Sequence, residues 1–312
     1  MIKVVKIDFE KHFVPSTETV DAILGDYGMD VMDYRVPENG MANTTLLVAT
    51  PLGDYALRIY RQDRKDDSAI ENEVHLMQHL RTDSVPTPTV VPTTSGQLMT
   101  HLPTGEARWQ AILMEALPGD TLDNYDSNII DRIAAVQARM HESSKYFLPP
   151  YHEPCVEVLD EQPFIDLIDQ ESLSDPKLVA FLDRAREYTV DLQEELPHGW
   201  CHLDLNKQNL LANEKGEITG VLDFDSATNA PYVVDLAYAL WAVHFYADEK
   251  RMSQYSSTYK QHRPLSAVEE AYVSRVMLYK NYVTTSMAVL YGYQNDPRME
   301  RFFSIEESLL SV

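Results

Sequence analysis

Apolar and polar positions follow two different periods along this chain, and the change of period divides it. Residues 10 to 28 carry a helical stripe of Val20, Ile23 and Leu24, with Ser16 or Thr17 to cap it, Glu18 in the first turn, and Gly25 and Gly28 at its end. Strand patterns follow at Met32 to Arg35, Asn43 to Thr50 and Asp54 to Arg61, joined by the turns Glu38-Asn39-Gly40 and Pro51-Leu52-Gly53-Asp54. Ser68 to Leu80 returns to helical spacing, and Val85-Pro86-Thr87-Pro88 breaks it. Val90-Val91 and Trp109 to Ala116 are again extended, the second running into Leu117-Pro118-Gly119. From there onward the pattern is helical: Ile129 to Met140, two segments within Phe164 to Glu195, Pro231 to Tyr246, Ser266 to Leu290, and Phe302 to Leu310. The pattern predicts an α+β fold, an antiparallel sheet with helices over residues 1–116 and a mainly helical part over 117–312, with Leu117-Pro118-Gly119 as the hinge.

Two charges sit where the pattern calls for apolar side chains. Alternation in Asp54 to Tyr60 puts Tyr55, Leu57 and Ile59 on one face and Ala56, Arg58 and Tyr60 on the other. A cation flanked by apolar residues in mid-strand needs an anionic partner. Glu73 interrupts the stripe of Ile70, Met77 and Leu80 on the next helix and is the expected partner. An Arg58 reaching solvent from an edge strand is the competing reading, with Arg61 as the other candidate cation. Glu71, His75 and His79 recur at metal-ligand spacing along another face of that helix, which reads as solvated.

The densest polar chemistry lies between Cys201 and Asp235. His202, Asp204 and Asn209 fall in one short segment, Asn213-Glu214-Lys215-Gly216 is a turn, and Ile218 to Leu222 leads back to Asp223. A hairpin of this kind returns Asp223 to the side of Asp204 and Asn209. Oxygen ligands such as Asn209 and Asp223 suit a hard cation on phosphates, and a separate carboxylate, Asp204, is then left to take or orient a hydroxyl proton.

The spacing HxDxxxxN followed by hydrophobic-Asp-Phe-Asp resembles the catalytic segment of the aminoglycoside phosphotransferase and choline kinase family, small-molecule kinases with a two-lobed protein-kinase-like fold. The resemblance implies Asp204 as base, Asn209 and Asp223 as magnesium ligands, and His202 and Asp235 as supports of the loop. In the first lobe it implies Arg58, braced by Glu73, on the nucleotide's phosphates. It also implies Gly40 and Asn43 in a loop over those phosphates, although the same two residues suit an ordinary hairpin turn. Met114 would guard the adenine pocket, with the Glu115 carbonyl and the Leu117 amide facing the adenine edge. The implied cofactors are ATP, with GTP as the other nucleotide, and Mg2+. Leu203, Asn206 and Gln208 depart from the usual HGDxHxxN, and the first and last bear on how the loop meets its acceptor.

Composition narrows the acceptor and the setting. With 26 basic and 49 acidic residues the net charge is −23, which opposes nucleic acid and attracts cations. An aminoglycoside-like or other cationic acceptor is expected, with choline, homoserine or a sugar as alternatives, and a nucleotide-binding scaffold as the reading from another class. Glu153, Glu157, Asp160 and Glu161 in one connection, and Asp248, Glu249, Glu269 and Glu270 further on, are candidate acids around that acceptor. Asp235 in the first turn of its helix needs donors, expected from the loop that holds His202, and His244 reads as a core histidine. Cys155 and Cys201 form no metal-type spacing or disulfide framework, the N-terminus has no cleavable signal pattern, and no apolar run spans a bilayer. The cytoplasm is therefore the expected compartment, with no membrane or nucleic-acid partner; oligomeric state is not legible.

Overall fold

The computed structural model describes residues 15–36, 43–60, 65–104, 107–152, 159, 165–168, 173–192 and 196–311. Gly40, Arg61, Glu153, Glu157, Asp160, Glu161 and residues 10 to 14 of the first helical pattern lie outside them.

The first helix, α1 (Thr17–Asp26), starts where Ser16 accepts from the Thr19 amide. A six-stranded antiparallel sheet follows, built from β1 (Asp33–Arg35), β2 (Thr44–Thr50), β3 (Gly53–Ile59), β4 (Val90–Val91), β5 (Thr100–Thr104) and β6 (Ala107–Glu115). The order is β1-β2-β3-β6-β4, with β5 also paired to β6. Period-two alternation gives this sheet two buried faces. Leu46, Val48, Leu57, Ile59, Ala111 and Leu113 meet Val20, Ile23 and Leu24 of α1. The opposite face sends Tyr60, Ile112 and Met114 toward α2 (Asp67–Thr82), whose Ile70, Val74, Met77 and Leu80 join the main core.

Beyond β6 the chain is mostly helical: α3 (Ser127–Ser144), α4 (Pro176–Glu187), α5 (Tyr232–Tyr246), α6 (Glu249–His262), α7 (Ala267–Leu290) and α8 (Met299–Leu310). Every residue of α5 except His244 and Tyr246 is buried, as its all-round apolar sequence requires. No helix among the described residues is long and apolar enough to cross a membrane.

Two small sheets sit between these parts. β7 (Asp120–Thr121) pairs with β9 (Leu210–Ala212), which pairs with β10 (Ile218–Val221), while β8 (His198–Cys201) pairs with β11 (Thr228–Pro231). The β9/β10 hairpin is thus nested inside the β8/β11 pair, so the loop from β8 to β9 and the turn from β10 to β11 emerge together. Gly119, at φ 109°, lets the chain leaving β6 press against this hairpin, since a Cβ there would lie 2.7 Å from the Ala212 carbonyl oxygen.

Candidate active site

The loop after β8 carries His202, Asp204 and Asn209, and the turn after β10 carries Asp223. A backbone bond from the Leu222 amide to the Asn209 carbonyl, 2.8 Å, ties the two segments together. His202 reinforces the tie: its Nε2 meets the Leu222 carbonyl at 2.9 Å, and its Nδ1 accepts from the Asp204 amide at 3.2 Å. Those partners assign the neutral tautomer with its proton on Nε2. Its ring also packs on Phe224, centroids 4.7 Å apart.

Asp204 is held by two amides. Asn206 Nδ2 donates to one carboxylate oxygen and Asn209 Nδ2 to the other, each at 2.8 Å. The side chain is open to solvent at its tip but set in a crowded recess. That crowding raises the carboxyl above the usual aspartate range, against the lowering influence of the Lys280 ammonium and the Asn206 hydrogen bond. Asn209, having spent its nitrogen on Asp204, keeps its side-chain oxygen clear of any donor among the described residues.

Asp223 is tied differently. It adopts φ 62°, a left-handed conformation that aspartate tolerates, and its carboxylate is hydrogen bonded to Arg58 Nη2. Arg58 lies on β3 between β2 and β6, opposite Thr45 and Ile112, so the edge-strand reading fails. Its Nη1 meets Glu73 at 3.1 Å, the expected brace. Burial works against both Arg58 and Asp223, but their mutual attraction raises the guanidinium and holds the carboxyl below the usual range. Glu73 also accepts from Tyr60 at 3.1 Å and from Lys65 at 2.7 Å. Lys65 stands 3.8 Å from Asp225, which takes a 3.0 Å bond from Asn43.

The pattern on β3 pointed to Arg58 and the stripe on α2 to Glu73, but Lys65 was missed; its signal is only a lysine just ahead of the helix. On the far side, Met114 is buried at the end of β6 opposite Ala56 and Val90, and Glu115 is exposed. The Leu117 side chain packs over Gly220 of β10.

Asp235 supports the loop from beneath, and the loop that holds His202 supplies one of its donors, the Leu203 amide. It accepts from the Leu203 amide at 2.5 Å, from His141 Nε2 at 2.7 Å and from Gln137 at 3.1 Å. The two α3 residues fall in the apolar stripe of the sequence, which concealed them. Burial alone would raise this carboxyl, but His141 and the Leu203 amide hold it below the usual range, while burial drives the His141 imidazole down. Leu203 reaches Asp235 by adopting φ 61°, where a glycine is usual.

Other acids fall away from the site. Glu269 is buried in a capping box with Ser266 and an ion pair with Arg263, not at a rim. Glu270 pairs with Lys260, and Asp248 caps α6. The row Glu71, His75 and His79 is half-buried rather than solvated, with His79 on the Ser143 carbonyl at 3.0 Å. Among the described residues His141, Cys201 and Asp235 are close enough to suggest a metal. His141, however, spends one nitrogen on Asp235 and the other on the Tyr259 hydroxyl.

The surviving arrangement is an oxygen-rich edge, with Asn209 and Asp223 on two segments joined by the bond from the Leu222 amide to the Asn209 carbonyl. It fits a hard divalent cation, and Arg58 beside it fits phosphate. Asp204 is free to receive a proton.

Comparison with known proteins agrees with this chemistry. The model of the phosphotransferase enzyme family matches residues 33–266. A homoserine kinase of Methylobacillus glycogenes is 29% identical over 257 residues, covering 78% of this chain and 74% of that protein. One of Cupriavidus pinatubonensis is 26% identical over 285 residues, covering 82% and 81%. The fold is that of a microcompartment-associated aminopropanol kinase, at a TM-score of 0.71 and 20% identity over 94% of this chain and 95% of the other. An amicoumacin kinase solved with AMP-PNP, Ca2+ and its antibiotic aligns at 0.69 and 15% identity, over 97% and 91%. The chain belongs to the phosphotransferase enzyme family and has the protein-kinase-like fold.

Proposed function

We propose that this phosphotransferase moves the γ-phosphoryl group of ATP, with GTP as the other nucleotide, to a hydroxyl of a small acceptor, and that homoserine is that acceptor. The observation that carries the transfer is the meeting of Asp204, Asn209 and Asp223 at one end of the nested hairpins, beside the Arg58 and Glu73 pair. Asp204 accepts the proton of the acceptor hydroxyl and aims its oxygen for in-line attack. Asn209 and Asp223 would hold Mg2+, which when bound would supply positive charge that stabilises the transferring group. Arg58 engages the phosphates from the sheet, and Glu73 fixes its direction. Residues 1–116 then form the nucleotide lobe and 117–312 the catalytic and acceptor lobe, with Met114, Glu115 and Leu117 at the adenine edge and Asn43 near the phosphates. Homoserine is favoured by the curated relatives, which match over most of their length. A cationic, aminoglycoside-like acceptor is the second reading, supported by the net charge of −23.

The test is nucleotide consumption by the purified protein across a panel of homoserine, choline, small amino alcohols, sugars and aminoglycosides, beside a thermal-shift titration with Mg-ATP. Acceptor-dependent ADP release is the expected result. Nucleotide binding with no turnover on any acceptor would reduce the protein to a scaffold.

A further inference from the structure

A cavity of about 450 Å³ opens between α5, α7 and the segment entering α8. Trp241 and Phe302 in its lining are joined through a buried relay in which Trp241 Nε1 donates to Asn281 at 3.0 Å and Asn281 donates to the Phe302 carbonyl at 2.9 Å. The cavity adjoins the candidate site. Tyr246 in its wall carries the Lys207 ammonium of the catalytic loop 5.7 Å from its ring centre. Lys280, which also lines the cavity, is near enough to Asp204 for its charge to act on that carboxylate.

The charges lining this cavity are not those expected from a chain of net charge −23. They are Lys280, Arg298 and Asp296. Arg298 and Asp296 neutralise each other through a bidentate pair at 2.7 and 2.9 Å. Lys280 lies 4.3 Å from the centre of the Tyr238 ring and forms no salt bridge among the described residues, Asp204 being the carboxylate its charge reaches. The lining charge left without a salt-bridge partner among the described residues is therefore positive.

We propose that Lys280 is the acceptor-selecting residue: its ammonium takes the carboxylate of a hydroxyl-bearing amino acid and turns away acceptors whose charges are all positive. The inference rests on the kinase reading above. A half-buried ammonium without a salt bridge keeps part of its desolvation cost, which an acceptor carboxylate relieves. A purely cationic acceptor would meet Lys280 as a like charge and find Asp296 already occupied. The overall negative field then gathers cations around the protein without deciding which compound reaches Asp204.

Homoserine and 1-amino-2-propanol each offer one hydroxyl and one amine, and only the first carries a carboxylate. Their kcat and KM are measured with the wild type, Lys280→Met and Lys280→Arg. The wild type is expected to prefer homoserine. In Lys280→Met the ratio of the two kcat/KM values falls by about 10- to 100-fold, the scale of one charged hydrogen bond, mainly through the homoserine KM, and Lys280→Arg restores most of it. Taking the ratio cancels any general effect of Lys280 on Asp204 or on folding. Preference of the wild type for the amino alcohol, or a ratio unmoved in Lys280→Met, overturns the inference and leaves the kinase reading intact. Turnover of neither compound by a protein that binds Mg-ATP also overturns it, and absence of both binding and turnover overturns the two together.

Discussion

The loop after β8 and the turn after β10 lie side by side and each presents one aspartate, yet their surroundings are opposite. Asp204 is held by two neutral amides in a crowded recess and its carboxyl is raised. Asp223 is held by a buried guanidinium and its carboxyl is lowered. Two identical side chains are thereby separated into one suited to receive a proton and one suited to stay charged, by environment alone. The same contrast extends below the surface, where Arg58 and Glu73 brace the turn through ion pairs and Asp235 braces the loop through neutral donors.

The strongest way to break this comparison is to remove each charge in turn. Asp204→Asn is expected to lower kcat by about 10²–10⁴-fold with little change in nucleotide affinity, whereas Asp223→Asn should also weaken Mg-nucleotide binding. Steady-state kinetics with a nucleotide titration checks both, and identical profiles would erase the distinction. Glu73→Gln leaves Arg58 and Lys65 without their shared carboxylate and should cost about 3–5 kcal/mol of stability, the scale for breaking a buried ion pair, read by urea unfolding.

A pH profile sharpens the comparison further. A base must be ionised to work, so activity rises with pH as Asp204 loses its proton. Because its carboxyl is raised, the acid limb of kcat/KM should lie above the usual aspartate range. Lys280 lowers Asp204, so Lys280→Met should move that limb higher still. A limb in the ordinary carboxylate range would assign it to another group. The smallest effect is expected for Leu203→Gly, which relieves a left-handed leucine but removes its packing against the core. Those contributions oppose each other, so the melting midpoint should move by only a few degrees, about 1 kcal/mol or less.

Much of the fold was legible because it rests on periodicity. The alternation on β3 separated Leu57 and Ile59 from Arg58, and the stripe on α2 picked out Glu73, because burial makes a charge conspicuous among apolar neighbours. The hairpin around Asn213 to Gly216 was legible from turn chemistry, and it determined which ends would meet. Glu269 misled because a carboxylate beside a helix start suits a solvent-facing rim and a capping box equally well in sequence. Asn206 stood out only as a departure from the family pattern, while its role on Asp204 depends on a loop geometry that no periodicity encodes.

By itself the sequence determined the elements, their order and the small set of polar residues that interrupt apolar patterns, because those follow from local spacing and from the cost of burying charge. Tertiary structure decided which of these residues meet: Lys65 on Glu73, His141 and Gln137 beneath Asp235, and Lys280 within reach of Asp204. Lys65 lies 8 residues before Glu73, whereas His141 and Gln137 lie 94 and 98 residues before Asp235, and the energy of all such contacts depends on distance and desolvation, which exist only once the chain has packed.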